Sequence, residues 1–369
     1  MKLPSALAAS MLLAMVACTS STSGQNSTAL SVRGTIVFGR VNANGDEYAF
    51  TIRADGTGEK ALTASSICCM AWSHKGDRLA VSGPLAGGSS STITTATVRA
   101  DGSGYRVLPL DSSGLNLGGN VWSPDDSRLA FEGWDDNNPS LNGLYTADAS
   151  DGGNRRRLTT TTASQHDAPL SYSPDGSKIL FWRGPGNIPD GANGVGQLFV
   201  VGVGGGAITQ VSPPGMTVWH DMFFGAQGGW SPDSAQISFS AFSPGASDPG
   251  RSAVFVAAGD GTNARQISDW GEYTTSAHWS PTGDWIVFDK INSAAGGHAF
   301  YLVHPDGSGT RVISTLGPVC CAVWSPDGQR LLFARANDLW TVMIDGSHPT
   351  QLTHTPSELT DIGWTSATK

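Results

Sequence analysis

Segments rich in alanine, glutamate, lysine and leucine are missing from this sequence of 369 residues, which argues against a helical fold. Charge is also scarce: 14% of the residues are charged, and no basic stripe extends beyond Arg155–Arg157. Nucleic acid and anionic membrane surfaces are therefore not expected as partners. No Gly-x-Ser-x-Gly, His-Glu-x-x-His or P-loop motif occurs, so the sequence predicts none of these catalytic sites and no cofactor.

Turn-forming residues, in contrast, are abundant. The chain contains 47 glycines and 20 prolines together with many serines and threonines. This composition favours many short strands joined by tight turns. The net charge of −9 is consistent with a soluble acidic protein, which we expect to be monomeric.

The first residues resemble an export signal. The apolar run Leu3–Ala17 is shorter than the roughly 20 residues that a membrane-spanning helix needs. Met15–Cys18 resembles the bacterial lipobox, although Met15 stands where leucine is usual. This resemblance implies a signal peptide over residues 1–18 and a lipid on Cys18; an ordinary signal peptide cut nearby is the alternative. Residues 19–33 are then a flexible tether, and the lipid anchor is the expected membrane contact of a protein facing the periplasm or the cell exterior.

An internal repeat dominates the rest of the chain. Successive copies are 40 to 58 residues apart, which is typical of a four-stranded propeller blade rather than a helical repeat. Each copy begins at an aromatic anchor that is followed by Ser-Pro-Asp or a variant of it. The anchors are Trp72, Trp122, Tyr172, Trp230, Trp279, Trp324 and Trp364.

Each internal anchor is followed by an apolar strand, a second strand that usually ends in Asp-Gly, and a short third strand. In the turn after the anchor, proline fixes φ and glycine takes a left-handed conformation, so the hairpin is fixed on both sides. The anchors themselves are expected to be core residues between neighbouring sheets, because large aromatic rings bury much apolar area there.

The two ends of the repeat region complement each other. Residues 34–63 contain three strands with no anchor before them, whereas Trp364 is an anchor with no strands after it. Joined, they make one blade and close the ring, which removes its open edge. We therefore predict an all-β, seven-bladed propeller over residues 34–369.

The order of tryptophan, Ser-Pro-Asp-Gly, strand, Asp-Gly and Leu-Thr resembles the repeat of TolB-like β-propellers. Members of that family are mostly protein-interaction platforms of the bacterial envelope. The resemblance thus implies a scaffold that binds an envelope protein or a glycan rather than an enzyme. The protein after which the family is named has six blades and a separate α/β domain, so its particular role is not implied here.

Two pairs of adjacent cysteines, Cys68–Cys69 and Cys320–Cys321, stand at the same distance before Trp72 and Trp324. An exported protein permits disulfides. The sequence is compatible with a strained disulfide within each pair and with a cross-link between the pairs. It is also compatible with free thiols and with a four-thiolate metal site, although the Cys-x-x-Cys spacing that is usual for such a site is absent.

Three histidines precede inner strands: His166, His220 and His278. Their distances to the next anchor are six, ten and one residue. If they converge at the mouth of the channel, they would resemble the sites of seven-bladed propeller lyases that act on acidic polysaccharides. A polysaccharide lyase or hydrolase is therefore the alternative function, with these three residues as candidate catalytic groups.

Two long insertions, Gly184–Gly196 and Pro213–Gly229, distinguish the fourth and fifth blades. The second insertion carries Trp219, Phe223 and Phe224. Loops on a rigid scaffold are where propellers usually bind their partners, and aromatic residues are enriched in such interfaces. These three aromatic residues are the candidate interface.

Overall fold

The computed structural model describes residues 34–63, 67, 69–83, 93–109, 115–135, 137–161, 164–185, 194–220, 228–244, 251–271, 274–292, 297–313, 320–355 and 357–365. These residues form seven sheets, six with four strands and one with a fifth, and one short 3-10 helix, Pro139–Leu141. The predicted all-β, seven-bladed propeller is confirmed. Within the described ranges no helix is long and apolar enough to cross a membrane.

In blades 2 to 7 the strands follow chain order from the first strand to the last, whereas blade 1 takes its first strand from the end of the chain. Blade 1 contains β29 (Leu359–Thr365), β1 (Thr35–Val41), β2 (Glu47–Arg53) and β3 (Lys60–Ala61). Blade 2 contains β4 (Cys69–Trp72), β5 (Arg78–Gly83), β6 (Thr94–Arg99) and β7 (Arg106–Val107). Blade 3 contains β8 (Asn116–Trp122), β9 (Arg128–Trp134), β10 (Gly143–Asp148) and β11 (Arg156–Arg157). Blade 4 contains β12 (Gln165–Tyr172), β13 (Lys178–Pro185), β14 (Gly194–Gly202) and β15 (Ile208–Gln210), and β16 (Val218–His220) pairs with β14.

The remaining three blades have the same order. Blade 5 contains β17 (Gly228–Trp230), β18 (Gln236–Phe242), β19 (Ser252–Ala258) and β20 (Arg265–Gln266). Blade 6 contains β21 (Thr275–Trp279), β22 (Ile286–Asn292), β23 (Gly297–Val303) and β24 (Arg311–Val312). Blade 7 contains β25 (Cys320–Trp324), β26 (Arg330–Arg335), β27 (Asp338–Met343) and β28 (Thr350–Gln351).

The Ser-Pro-Asp turn after each anchor is held by its own side chains. In blade 3, the Ser123 hydroxyl donates to the Asp125 carboxylate at 2.6 Å, and the backbone N–H of Ser127 donates to the same oxygen at 3.0 Å. These hydrogen bonds lower the pKa of Asp125 to about 2. The serine-to-aspartate bond recurs in blades 4, 5 and 7, so the repeated motif sets the hairpin between the first and second strands.

The ring closes through the two ends of the repeat region, as predicted. β29 pairs antiparallel with β1, which places Trp364 opposite Ile36. The inner strands contact one another in turn around the ring, and β29 completes the circuit because it contacts both β25 and β4. Blade 1 therefore has four strands like the other blades, and β1 is paired on both sides.

The core consists of apolar layers between neighbouring blades. Trp122 packs with Leu129 of its own blade and Ala80 of blade 2, and its Nε1 donates to the carbonyl of Ala71 at 2.9 Å. Within blades, aromatic rings stack across the second and third strands, as Phe181 and Phe199 do at 5.7 Å between ring centroids. The anchors are thus structural side chains that join adjacent blades.

Candidate functional site

The channel has two different ends. In blades 2 to 7 each inner strand finishes at its anchor and enters the tight turn that follows it, so these turns lie at one end, which we call the turn end. The longer loops, including both predicted insertions, join strands at the opposite end, which we call the loop end. Candidate residues fall at both ends.

At the loop end, β14 extends beyond its blade. It has nine residues, of which Gln197–Gly202 pair with β13 while Gly194–Gly196 pair with β16. We call Gly194–Gly196 with Val218–His220 the ribbon. Val195 stands opposite Trp219 in the ribbon and is 51% exposed, which is more than any other large hydrophobic residue described. The predicted interface residue Trp219 therefore lies on a strand whose partner strand presents an exposed apolar side chain.

The ribbon is fixed rigidly to the propeller. Trp182, 2% exposed, donates from Nε1 to the carbonyl of Val218 at 3.1 Å. Its ring lies where side chains at Gly184 and Gly196 would stand: a Cβ on either glycine would fall within 3 Å of the ring. Thr217 also bridges to Phe242 of blade 5. The ribbon is consequently held by two blades at once.

Beside the ribbon, His166 contacts a carboxylate from the neighbouring blade. Its Nδ1 lies 2.5 Å from Oε1 of Glu132 on β9. The two side chains are 27% and 19% exposed, and the contacting Oε1 of Glu132 is itself buried. The indole of Trp134 lies 6.3 Å from the imidazole, measured between ring centroids. Together they form a small acid–base and aromatic cluster between blades 3 and 4.

The next residue along β12 has a structural role. The Asp167 carboxylate has no exposed surface and receives two hydrogen bonds from Arg183, at 2.6 and 2.7 Å. The Thr159 hydroxyl donates to the same carboxylate. The bond to Asp167 raises the pKa of Arg183, so the guanidinium stays charged. This bidentate pair holds β12 against β13 directly below His166.

His278 lies further along the channel than His166, toward the turn end. It directly precedes the anchor Trp279 on β21, is half-buried, and shares a cavity with Ser171 of blade 4. Ser171 is five residues further along β12 than His166, which corresponds to roughly 16 Å of strand. Desolvation lowers the pKa of His278 to about 4, which makes the imidazole neutral at pH 7.

The other histidine and the cysteines are described in part. The backbone of His220 pairs with Gly194 in the ribbon, and its side chain lies outside the described residues. Cys69 pairs with Ser82 in an unbroken register, whereas β25 shifts register between Cys320 and Val323. The two cysteine pairs therefore match in sequence spacing but not in sheet register. Four predicted residues lie outside the described ranges: Cys18, Cys68, Phe223 and Phe224.

Among the side chains that the structure describes, no group of three or more His, Cys, Asp or Glu residues is arranged to hold a metal ion. The Glu132 interaction with His166 was also not predicted. Acidic residues follow the phenylalanine of the second strand in two blades, Glu132 in blade 3 and Asp289 in blade 6, whereas blade 5 has Ser240 there. The position alone therefore does not distinguish this cluster from blade 6.

The sequence matches no protein-family model. It is 38% identical over 65 residues to the Tol-Pal system protein TolB of Gluconobacter oxydans, which is 18% of this chain and 14% of that protein. This local match and the propeller fold confirm the resemblance of the repeats to TolB-like propellers.

Solved structures share the fold at low identity. Oligogalacturonate lyase of Vibrio parahaemolyticus is 14% identical, with a TM-score of 0.57 over 86% of each chain. TolB of Acinetobacter baumannii is 15% identical, with a TM-score of 0.50 over 90% of this chain and 82% of that one. An oligogalacturonate lyase in complex with manganese is 15% identical, with a TM-score of 0.58 over 87% and 85%. These similarities establish the fold alone.

Proposed function

We propose that this chain is an exported binding module of the bacterial envelope, which holds a partner protein or glycan on the ribbon at the loop end of blades 4 and 5. The observation that carries this function is Val195, a 51% exposed apolar side chain on a strand that is fixed to two blades. Rigid mounting favours binding, because little conformational entropy is lost when a partner docks.

Two further features support this function. The cross-strand neighbour of Val195 is Trp219, and tryptophan is enriched among the residues that dominate binding energy. The exposed Val195 favours an apolar protein surface over a purely polar glycan. Export is supported by the signal-like residues 1–18 with their lipobox at Cys18, which would place the propeller in the envelope.

The test replaces one exposed valine and uses another as control. Val195→Asp places a charge at the centre of the proposed contact, where it would be desolvated without a partner. We expect capture of the envelope proteins or glycans that the unmodified chain enriches to fall at least about tenfold, which corresponds to about 1.4 kcal/mol. The readout is quantitative mass spectrometry and glycan analysis after affinity purification from envelope extract.

Val312→Asp is the matched control, because Val312 is 43% exposed on β24, the last strand of blade 6. It should retain full capture. Equal losses for both variants, or no loss for Val195→Asp, would show that the ribbon is not the binding surface. Unchanged thermal unfolding of both variants establishes that neither substitution acts through folding.

A second function is favoured by the contact of His166 with Glu132, in which the imidazole Nδ1 lies 2.5 Å from the carboxylate and the His166 side chain is 27% exposed. A neutral imidazole there could remove the proton next to a uronate carboxylate, while the carboxylate of Glu132 stabilises the imidazolium that forms. The bond to the leaving sugar oxygen then breaks, that oxygen takes up a proton from solvent water, and a C=C bond forms. Oligogalacturonate and other uronate polymers are the substrates to try. Ultraviolet absorbance from new C=C bonds, lost in His166→Gln, would support this lyase function; no absorbance change with the unmodified chain would exclude it for those substrates.

A further inference from the structure

One carboxylate of blade 1 reaches past the neighbouring strand to the strand beyond it. Glu47 lies at the start of β2 and pairs with Val41 of β1. Its side chain crosses β1 and reaches β29, where Oε1 accepts a hydrogen bond from the Thr360 hydroxyl. Glu47 therefore ties β2, near the beginning of the propeller, to the strand that closes the ring.

The crossing is possible because β1 carries a glycine at this point. Gly39 stands opposite Ala49 on β2 and opposite Thr360 on β29. Since Val41, the partner of Glu47, is two residues from Gly39, all these side chains belong to one face of the sheet. A Cβ on Gly39 would overlap with both the Thr360 hydroxyl and the Glu47 carboxyl group. The missing side chain is the passage through which Glu47 reaches β29.

This contact is buried and lies beside a second acidic residue. Glu47 is 6% exposed and Thr360 is 2% exposed. Glu358 stands next to them, because its carbonyl accepts the backbone N–H of Val41 at 3.1 Å. Burial raises the pKa of Glu47 above its usual 4.5; the Thr360 hydrogen bond acts in the opposite direction, and the charge of Glu358 raises the pKa further. The site thus favours a neutral carboxyl group.

The nearest arginine along the chain, Arg40, serves the opposite face of β1. Its guanidinium lies 5.0 Å from the centroid of the Phe38 ring, and its Nε is 3.1 Å from Oε1 of Glu59. Its Nη1 donates to the carbonyl of Thr355 at 2.7 Å and to the hydroxyl of Ser357 at 2.8 Å. Arg40 therefore holds the segment that leads into β29, but it is not a counter-charge for Glu47.

The other charged groups on the adjoining segments are acidic. In the turn between β1 and β2, the Asp46 carboxylate accepts a hydrogen bond from Nδ2 of Asn42 at 3.2 Å. On β29, the Asp361 carboxylate accepts the backbone N–H of Met70 in blade 2 at 3.0 Å. Neither aspartate supplies a positive charge, so ionisation of Glu47 is not compensated by these neighbours.

We propose that Glu47 is a proton-controlled latch on the ring: its neutral carboxyl group holds β29 across Gly39, and its ionised form weakens this hold. The neutral group still accepts the Thr360 hydrogen bond and costs less to bury than a charged one. The ionised group is desolvated beside the like charge of Glu358. The latch lies in blade 1 and does not depend on the ribbon of blades 4 and 5.

The pH dependence follows from the direction of the pKa shift. Because the pKa of Glu47 is raised in the folded state, the folded chain binds this proton more tightly than the unfolded chain does. The stabilisation by the neutral form is fully present below the usual pKa of 4.5 and is lost as the pH rises through the folded pKa. The ring is therefore closed most tightly in acid.

The test compares urea unfolding of the full chain and of Glu47→Gln, which has the shape of the neutral acid but does not ionise. The variant's midpoint minus that of the unmodified chain should be at least about 0.3 M larger at pH 8 than at pH 4. Carboxylates elsewhere titrate alike in both proteins, so their effects cancel. An equal difference at both pH values, or a variant that is less stable at pH 8, would overturn the proposal.

Glu358→Gln is the matched second variant, because it removes the like charge and leaves the latch residue in place. At pH 8 it should raise the midpoint of the unmodified chain. In the Glu47→Gln background it should have no effect, since no charge remains for Glu358 to repel. Equal gains in the two backgrounds would contradict the proposal.

Carbon-13 NMR of the chain labelled at its glutamate carboxyl groups follows the proton directly and needs no variant to fold. One glutamate should titrate clearly above the usual 4.5, and Glu47→Gln should remove its resonance. Titration of every glutamate near 4.5 would overturn the proposal. If Glu47→Gln does not fold by circular dichroism, this titration and the effect of Glu358→Gln decide.

Discussion

Ending the chain at Glu358, which removes β29, is expected to abolish the folded propeller rather than shorten it. β29 is the inner strand of blade 1 and the neighbour of both β25 and β4. Without it, the unpaired edge of β1 and the buried side chains of Ile36 and Phe38 face the open channel. Exposure of several fully buried apolar residues costs more than about 5 kcal/mol, which is comparable with the whole stability of a domain.

The measurement is cooperative unfolding in urea, followed by circular dichroism and tryptophan fluorescence. Truncation after Glu358 should remove the cooperative transition, whereas truncation after Thr365 retains β29 and should leave the midpoint unchanged. A synthetic peptide of residues 359–369 should restore the transition when it is added to the shortened chain. A shortened chain that unfolds cooperatively at nearly the original midpoint would contradict the role of β29.

Replacement of Arg183 by methionine is expected to cost about 3–5 kcal/mol of unfolding free energy, because it leaves a buried carboxylate without its counter-charge. Asp167 has no exposed surface, and Arg183 gives it two hydrogen bonds. The hydroxyl of Thr159 remains as a donor but supplies no charge. The double variant Asp167→Leu, Arg183→Met should recover a large part of this loss.

A more exposed ion pair at the same distance is the control. Arg128 and Asp148 are also 2.6 Å apart, but their side chains are 31% and 27% exposed. Arg128→Met should therefore cost no more than about 1 kcal/mol. Similar losses for Arg183→Met and Arg128→Met would show that the burial of Asp167 does not determine how much unfolding free energy is lost when its partner is removed. Urea unfolding at pH 7 measures the free energy of unfolding of the unmodified chain, the two single variants and the double variant.

The fold could be predicted because the information is repeated. A single Trp-Ser-Pro-Asp turn says little, but the anchor occurs seven times with similar spacing, and the six internal anchors are followed by the same strands. Ring closure could also be predicted, because the strands before Trp72 lack an anchor and Trp364 lacks strands. Local turn chemistry and the avoidance of open edges point to the same topology.

The candidate sites depend on departures from the repeat, which periodicity does not reveal. The pairing of Val195 with Trp219 needs two insertions to meet in space, and neither insertion shows strand alternation by itself. The contact of His166 with Glu132 joins two blades, so its members are 34 positions apart in the sequence. Long-range side-chain contacts of this kind follow from the three-dimensional arrangement of blades rather than from any local pattern.

The cysteine pairs also show that equal spacing in the sequence does not predict the strand register. Equal spacing before Trp72 and Trp324 predicts equal positions in the two blades, yet β25 has a register shift that β4 lacks. Because one residue of shift moves side chains to the opposite face of a sheet, equal spacing does not give equal environments.

Hydrogen exchange of the intact chain, read by mass spectrometry on peptides, tests ring closure most directly. If β29 completes blade 1, the peptide covering Leu359–Thr365 will be protected as strongly as the peptide covering Asn116–Trp122, the inner strand of blade 3, and Thr35–Val41 as strongly as the β9 peptide Arg128–Trp134. Rapid exchange of Leu359–Thr365 at the rate of an unstructured peptide, with the rest of the propeller protected, would contradict a sheet shared by the first and last strands.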